Sequence, residues 1–198
     1  KKKTFQRIDT GFEVQSSGDI ASDALAAVYV GSGAITPPRL YAVDLAKGKS
    51  RMIYDPNAGD FALVRQGAVR EWTFTTSSGK TIDGYYYLPP GFDPQKKYPC
   101  IVYYYGGTSP TNRSFGGRYP KNLWAAEGYV VYVLQPSGAT GYGQEFSAYH
   151  VNDWGKIVAD EIIEGTKKFV AAHPFVDGSK LGCIGASYGG FMTQLLVT

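Results

Sequence analysis

Leu181-Gly182-Cys183-Ile184-Gly185-Ala186-Ser187-Tyr188-Gly189-Gly190 is the stretch whose reading decides the fold. The apolar run ending at Ile184 reads as a buried strand, and the chain from Tyr188 onward reads as a helix. A G-x-S-x-G turn between the two holds its serine in a strained backbone conformation with Oγ exposed above the sheet. Glycine is needed at 185 and 189 because strand and helix pass too closely there for a Cβ. The pattern by itself is weak in a chain with 25 glycines, where chance can supply it. Its place at a strand-to-helix junction makes Ser187 a candidate nucleophile and gives the backbone N–H of Tyr188 the position of an oxyanion donor.

Upstream of this turn, strands and helices alternate. Residues 98–105 and 129–134 are continuous apolar runs, as expected of parallel strands buried on both faces, with a short helix over 122–127 between them. A long helix is predicted over 155–172, where Val158, Ile162, Gly165 and Phe169 fall on one stripe. Glu164 and Lys168 are spaced as an i,i+4 pair, and Asn152 or Asp153 is placed to cap the helix. Residues 69–75 and 81–88 read as a hairpin across Ser77-Ser78-Gly79-Lys80, closed by Pro89-Pro90-Gly91. The pattern predicts an α/β fold: the N-terminal part of an α/β-hydrolase sheet, mostly parallel and starting with a β-hairpin.

The first third has a different grammar. Short strands are predicted over 12–15, 24–30, 39–45 and 51–54. Breaks are expected at Ser16-Ser17-Gly18-Asp19, at Gly31-Ser32-Gly33 with Pro37-Pro38, and at Ala46-Lys47-Gly48-Lys49. Four strands in this span match one antiparallel β-propeller blade, which cannot bury its own faces alone. Residues 1–65 are therefore expected to be the C-terminal blade of a propeller and its linker, and residues 66–198 the N-terminal half of the catalytic domain. The chain is expected to be part of a larger polypeptide, with upstream blades and a downstream segment as its partners.

Composition narrows the function further. Twenty basic and 17 acidic residues give a net charge of +3. The one basic run, Lys1-Lys2-Lys3, reads as a solvated end, so no nucleic-acid partner is expected. No apolar stretch is long enough to span a bilayer, and no secretory leader is visible at the start. Cys100 and Cys183 both fall in predicted strands and read as buried free thiols. No Cys/His cluster has metal-ligand spacing, so no metal is expected.

The spaced motifs Leu40-Tyr41-Ala42-Val43-Asp44-Leu45, Tyr98-Pro99, Tyr105-Gly106-Gly107, Gly141-Tyr142-Gly143, Asp153-Trp154-Gly155 and the elbow resemble the prolyl oligopeptidase family of serine peptidases over essentially the whole chain. Gly-Ala-Ser-Tyr-Gly-Gly is more similar to its dipeptidyl-peptidase-IV and acylaminoacyl-peptidase branches than to the prolyl endopeptidases. The resemblance implies a β-propeller joined to an α/β-hydrolase domain, oligopeptide substrates, no cofactor, and the Tyr105 hydroxyl as a second oxyanion donor. Read without it, Tyr105 is a core or rim residue of the run Tyr103-Tyr104-Tyr105. Self-association into a homo-oligomer stays open. One departure is Ser137, where the family loop usually carries an arginine that steadies the neighbourhood of the active site.

In this reading Ser187 Oγ attacks a carbonyl to give an acyl-enzyme while a histidine takes its proton. Neither histidine present is expected to be that base, because α/β hydrolases place acid and histidine after the serine. His150 reads as a surface residue of a polar loop, and His173 as a cation at a helix C-terminus. The triad histidine and acid are thus expected outside these residues. The leading function is serine exopeptidase. The alternatives are an esterase-type acyl hydrolase on the same elbow and a non-catalytic binding or structural piece.

Overall fold

The computed structural model describes residue 8 and residues 10–198. Lys1-Lys2-Lys3 lies outside the described residues. The chain forms two compact units, residues 1–65 with 112–120 and residues 66–111 with 121–198. Among the described residues no helix is long and apolar enough to cross a membrane, and no group of three or more His, Cys, Asp or Glu is placed to hold a metal ion.

The first unit is a four-stranded antiparallel sheet in sequential order: β1 (Val14–Ile20), β2 (Ala26–Gly33), β3 (Thr36–Asp44) and β4 (Lys49–Tyr54). The four-residue helix α1 (Ala58–Phe61) follows it. Its small core holds Tyr29, Tyr41 and Val43 with Phe12 packed against them. The Phe12 and Tyr41 ring centroids lie 4.4 Å apart and those of Tyr29 and Tyr41 5.5 Å.

Two of the expected breaks are strand. Ser16-Ser17-Gly18-Asp19 lies inside β1, where the register slips between Ser16 and Asp19 and a bulge absorbs the polar residues. Gly31-Ser32-Gly33 continues β2, and Pro37-Pro38 lies within β3, leaving only Ala34 and Ile35 between the two strands. The glycines serve packing: a Cβ on Gly31 would meet the Phe12 ring at 3.0 Å, and one on Gly33 would meet the Glu13 carboxylate at 2.7 Å. The prolines sit where the β2–β3 register shifts, so they interrupt no regular ladder. The third break is a turn, in which Asp44 Oδ1 accepts from the N–H groups of Ala46 and Lys47, each at 3.0 Å.

The second unit is built on β5 (Ala68–Glu71), β8 (Gly84–Leu88), β9 (Tyr98–Tyr103), β10 (Val130–Leu134) and β11 (Val176–Ile184), with β6 (Phe74–Thr75) and β7 (Thr81–Ile82) forming a separate two-stranded sheet. The five strands run in the order β11-β9-β10-β8-β5. β9, β10 and β11 are parallel, whereas β8 and β5 are antiparallel, so the sheet is mixed. The expected hairpin is divided between the two sheets: β5 pairs with β8, and β6 with β7.

β8 and β10 are buried at every residue, as expected of continuous apolar runs, but the run over 181–184, expected to be buried, is not: β11 is an edge strand of this sheet and is exposed over most of its length. The helices are α2 (Lys121–Ala126), α3 (Gln144–Ala148), α4 (Lys156–Ala172) and α5 (Tyr188–Val197). The stripe of α4 is buried as its spacing predicts, and Phe169 stacks flat on Tyr132 at 4.2 Å with 5° between the rings. Glu164 and Lys168 pair at 2.8 Å. Asp153 Oδ1 accepts from the N–H of Gly155 at 3.0 Å and of Ile157 at 3.4 Å, which steadies the start of α4.

Both cysteines are free, Cys100 buried and Cys183 half-buried. Burial pushes the Cys100 thiol up to about 12, which leaves it an unreactive packing residue.

His173 departs from its expected role as a cation. It is buried against Trp72, Tyr86, Phe169 and Phe175, and its Nδ1 lies 2.8 Å from the Phe169 carbonyl. Desolvation lowers its pKa against the raising effect of that carbonyl, so the ring is neutral and Nδ1–H is the donor. Burial among these rings, two of which, Trp72 and Tyr86, come from distant segments, outweighs the pull of the helix C-terminus.

Candidate active site

The Ile184-to-Tyr188 turn leaves the parallel strand β11 and enters α5. Ser187 caps α5 with φ 55° and ψ −122°, a left-handed backbone on a residue with a Cβ. Such a conformation costs on the order of 1–3 kcal/mol and persists only where its surroundings enforce it. Here the enforcement is steric. A Cβ on Gly185 would lie 2.4 Å from the Gly189 carbonyl oxygen, and one on Gly189 would lie 3.2 Å from the Tyr104 oxygen. The bonds from Gly190 N–H and Phe191 N–H to the Ser187 carbonyl, at 2.9 and 3.1 Å, fasten the first turn of the helix. Ser187 itself is exposed. Tyr188 is the first helical residue, so its N–H has no acceptor within the helix and is free to donate outward.

Beside the turn is a cleft of about 240 Å³ lined by Tyr105, Gly107, Thr108, His150, Asp153, Trp154 and Tyr188. The structure thus brings together two of the three sequence-derived site residues, Tyr105 and Tyr188, whose rings lie 6.4 Å apart. Ser187 adjoins them through the chain and is not among the lining residues. Gly107 makes the close approach possible: a Cβ there would stand 2.7 Å from the Tyr105 ring and 3.3 Å from that of Tyr188.

Tyr188 carries two opportunities. Its main-chain N–H belongs to the turn, and its buried hydroxyl has no hydrogen-bond partner among the described residues. Burial first, and then the Asp153 charge, raises the pKa of that phenol, so it stays protonated at neutral pH.

His150, expected on the surface, is half-buried in this wall, with its ring edge-on to Tyr188 at 5.6 Å and its Nε2 buried without a partner among the described residues. The polar sequence around it concealed the reason: Gly138, at φ 99°, leaves the space that the imidazole fills, since a Cβ there would fall 1.9 Å from His150 Cδ2. Trp154 is largely exposed, with its ring roughly parallel to that of Tyr188 at 6.5 Å. The Asp153-Trp154-Gly155 motif was the available signal for this part of the wall. Ser137 is fully buried and anchors its loop to α4 through Glu161.

A serine at positive φ, wedged between a parallel strand and a helix by a Gly185 that admits no Cβ and a Gly189 that leaves little room for one, has the geometry that a hydrolase nucleophile elbow requires. Residues 117–198 match the model of the Prolyl oligopeptidase family. The dipeptidyl-peptidase 5 of Porphyromonas gingivalis is 32% identical over 162 residues, covering 81% of this chain and 23% of that protein. That of Porphyromonas endodontalis is 30% identical over 200 residues, covering 99% of this chain and 28% of that protein. Among solved structures, the acylaminoacyl peptidase of Pyrococcus horikoshii superposes with a TM-score of 0.83 at 26% identity, over 95% of this chain and 29% of that one. The chain belongs to the prolyl oligopeptidase family. It spans about a quarter of the length of the curated relatives it matches.

Proposed function

We propose that this chain supplies the nucleophile and both oxyanion donors of a serine exopeptidase that cleaves oligopeptides through an acyl-enzyme on Ser187. The observation that carries the reading is the Ser187 backbone at φ 55°, ψ −122° between Gly185 and Gly189. In this mechanism Oγ attacks the scissile carbonyl, and the oxyanion is met by Tyr188 N–H and the Tyr105 hydroxyl. Donors already in place need no reorganisation as charge develops. The names of the relatives, dipeptidyl-peptidase and acylaminoacyl peptidase, support release of short or blocked units from peptide N-termini.

In the same reading residues 66–198 are the N-terminal half of an α/β-hydrolase domain, and residues 1–65 the last blade of a propeller and its linker. The general base and its orienting acid come from outside these residues. His173 fits that assignment, because its Nδ1 is engaged by Phe169 and its ring is enclosed by aromatic side chains.

The test is an assay of the full-length enzyme on dipeptidyl and N-acyl-aminoacyl amides, beside the matching esters. Ser187→Ala should lower kcat by about 10⁴-fold or more on the amides. Amide hydrolysis that survives the substitution, or turnover of esters alone, contradicts the peptidase reading.

A further inference from the structure

The cleft wall is held from behind by a part-buried ion pair that the reaction itself does not use. Glu161, on the buried face of α4, receives Ser137 N–H at 2.7 Å on Oε2 and the Ser137 hydroxyl at 2.6 Å on Oε1. Lys80, from the turn between β6 and β7, donates to the same Oε1 at 3.1 Å. The pair is well removed from water, with side-chain exposures of 19% for Lys80 and 5% for Glu161. The Lys80 ammonium also lies 3.4 Å from the centroid of the Tyr149 ring. With Ser137 Oγ 3.5 Å from Lys80 Nζ, one cation touches three elements at once: the carboxylate of α4, the loop after β10, and the residue that caps α3.

Each contact leads to the cleft. Ser137 precedes Gly138, whose Cα surface seats the His150 ring. Tyr149 precedes His150 itself. Farther along the same loop, Thr140 N–H donates to the carbonyl of Thr108, a cleft residue, at 2.9 Å. The turn that carries Lys80 is fixed in its own right: Lys80 N–H donates to Thr76 Oγ1 at 3.0 Å, and Ser77 N–H donates to Glu164 at 2.8 Å. A lysine so placed behaves as a rigid post, because its root and its head are both pinned.

We propose that Lys80 is a positioning residue for substrate binding, one half-buried cation that clamps the Ser137–Gly138 loop and the Tyr149–His150 pair and so sets the wall of the cleft facing Tyr188. Without it, the buried Glu161 carboxylate loses its counter-charge, which is among the costliest ways to break an ion pair. The loop and the histidine then lose their common anchor. The elbow keeps its own support, because Gly185 and Gly189 pack on backbone that Lys80 does not touch. The clamp thus acts on the substrate side chain beside His150 and Tyr188 more than on bond cleavage. This inference rests on the peptidase reading for its kinetic readout.

The experiment compares wild type, Lys80→Met, Lys80→Arg and Lys80→Met/Glu161→Gln in the full-length enzyme, using steady-state kinetics on a peptide amide and hydrogen exchange of the amides of residues 137–150. Lys80→Met is expected to raise KM roughly tenfold with kcat within about twofold, the signature of lost ground-state binding rather than lost transition-state stabilisation. Exchange at 137–150 should quicken, and Lys80→Arg should restore both. The double variant carries no uncompensated buried charge and so guards against simple misfolding. Its KM should stay raised, because Tyr149 still lacks its cation. Loss of kcat at constant KM, unchanged exchange at 137–150, or a KM restored in the double variant would each overturn the proposal. A wild type inactive on peptide amides would remove the peptidase reading instead, and the exchange data alone would then decide whether Lys80 holds the wall.

Discussion

The two sheets of this molecule solve the burial problem differently. In the second unit β8 and β10 are buried at every residue, and Phe169, Tyr132 and Trp72 interlock between sheet and helix. In the first unit the core is Tyr29, Tyr41 and Val43, while Ile20, Leu25, Met52, Ile53 and Tyr54 are exposed. Both units hold side chains at positive φ, Ser17 and Ala24 in the first and Ser187 in the second, but at Ser187 the conformation is enforced by a strand-to-helix approach that leaves no room for a Cβ at Gly185. The candidate chemistry accordingly sits at the end of a β-strand in the second unit, where the close approach of strand and helix enforces the conformation of Ser187.

That contrast can be broken by substitution. Phe169→Ala removes a fully buried ring and should cost about 3–5 kcal/mol of stability, measured by chemical denaturation. Tyr105→Phe should lower kcat by about 10- to 1000-fold with stability nearly unchanged; an unaltered kcat would return Tyr105 to an ordinary cleft tyrosine. Tyr41→Ala, in the thinner core, should cost about 1–2 kcal/mol, and a loss equal to that of Phe169→Ala would refute the difference drawn between the two sheets.

The smallest effect is one of pH. His173 is held below its ordinary 6.5 first by burial, with Arg70 adding to the shift and the Phe169 carbonyl opposing it. The unfolded chain therefore takes up a proton on this residue before the folded protein does. Stability contributed by the neutral ring is complete above about pH 6.5 and declines as pH falls, by at most about 1.4 kcal/mol per pH unit for this group. His173→Gln should flatten that slope in denaturation series between pH 7 and pH 5. The lowered carboxylates Asp44, Glu164 and Asp177 act in the same direction at lower pH, each held down first by a hydrogen bond, from Lys47, Lys168 and Ser179 respectively.

Legibility follows the same division. The elbow, the apolar runs of β9 and β10 and the stripe of α4 could be read because local pattern and tertiary demand agree there. The first sheet was harder, because its glycines answer to Phe12 and Glu13 rather than to turns, and its prolines fall at a register shift. The two histidines were misjudged for a related reason. What surrounds His173 is set by Trp72 and Tyr86, far away in sequence, and what seats His150 is the missing side chain of Gly138. Ser137 looked like a lost contact, and only the fold places Lys80 beside the carboxylate that Ser137 binds.

The most direct test of the central claim is labelling of the full-length protein with a fluorophosphonate probe, followed by mass mapping of the adduct. The account predicts one adduct, on Ser187 Oγ, absent from Ser187→Ala. An adduct on another residue, or labelling undiminished in Ser187→Ala, would contradict it.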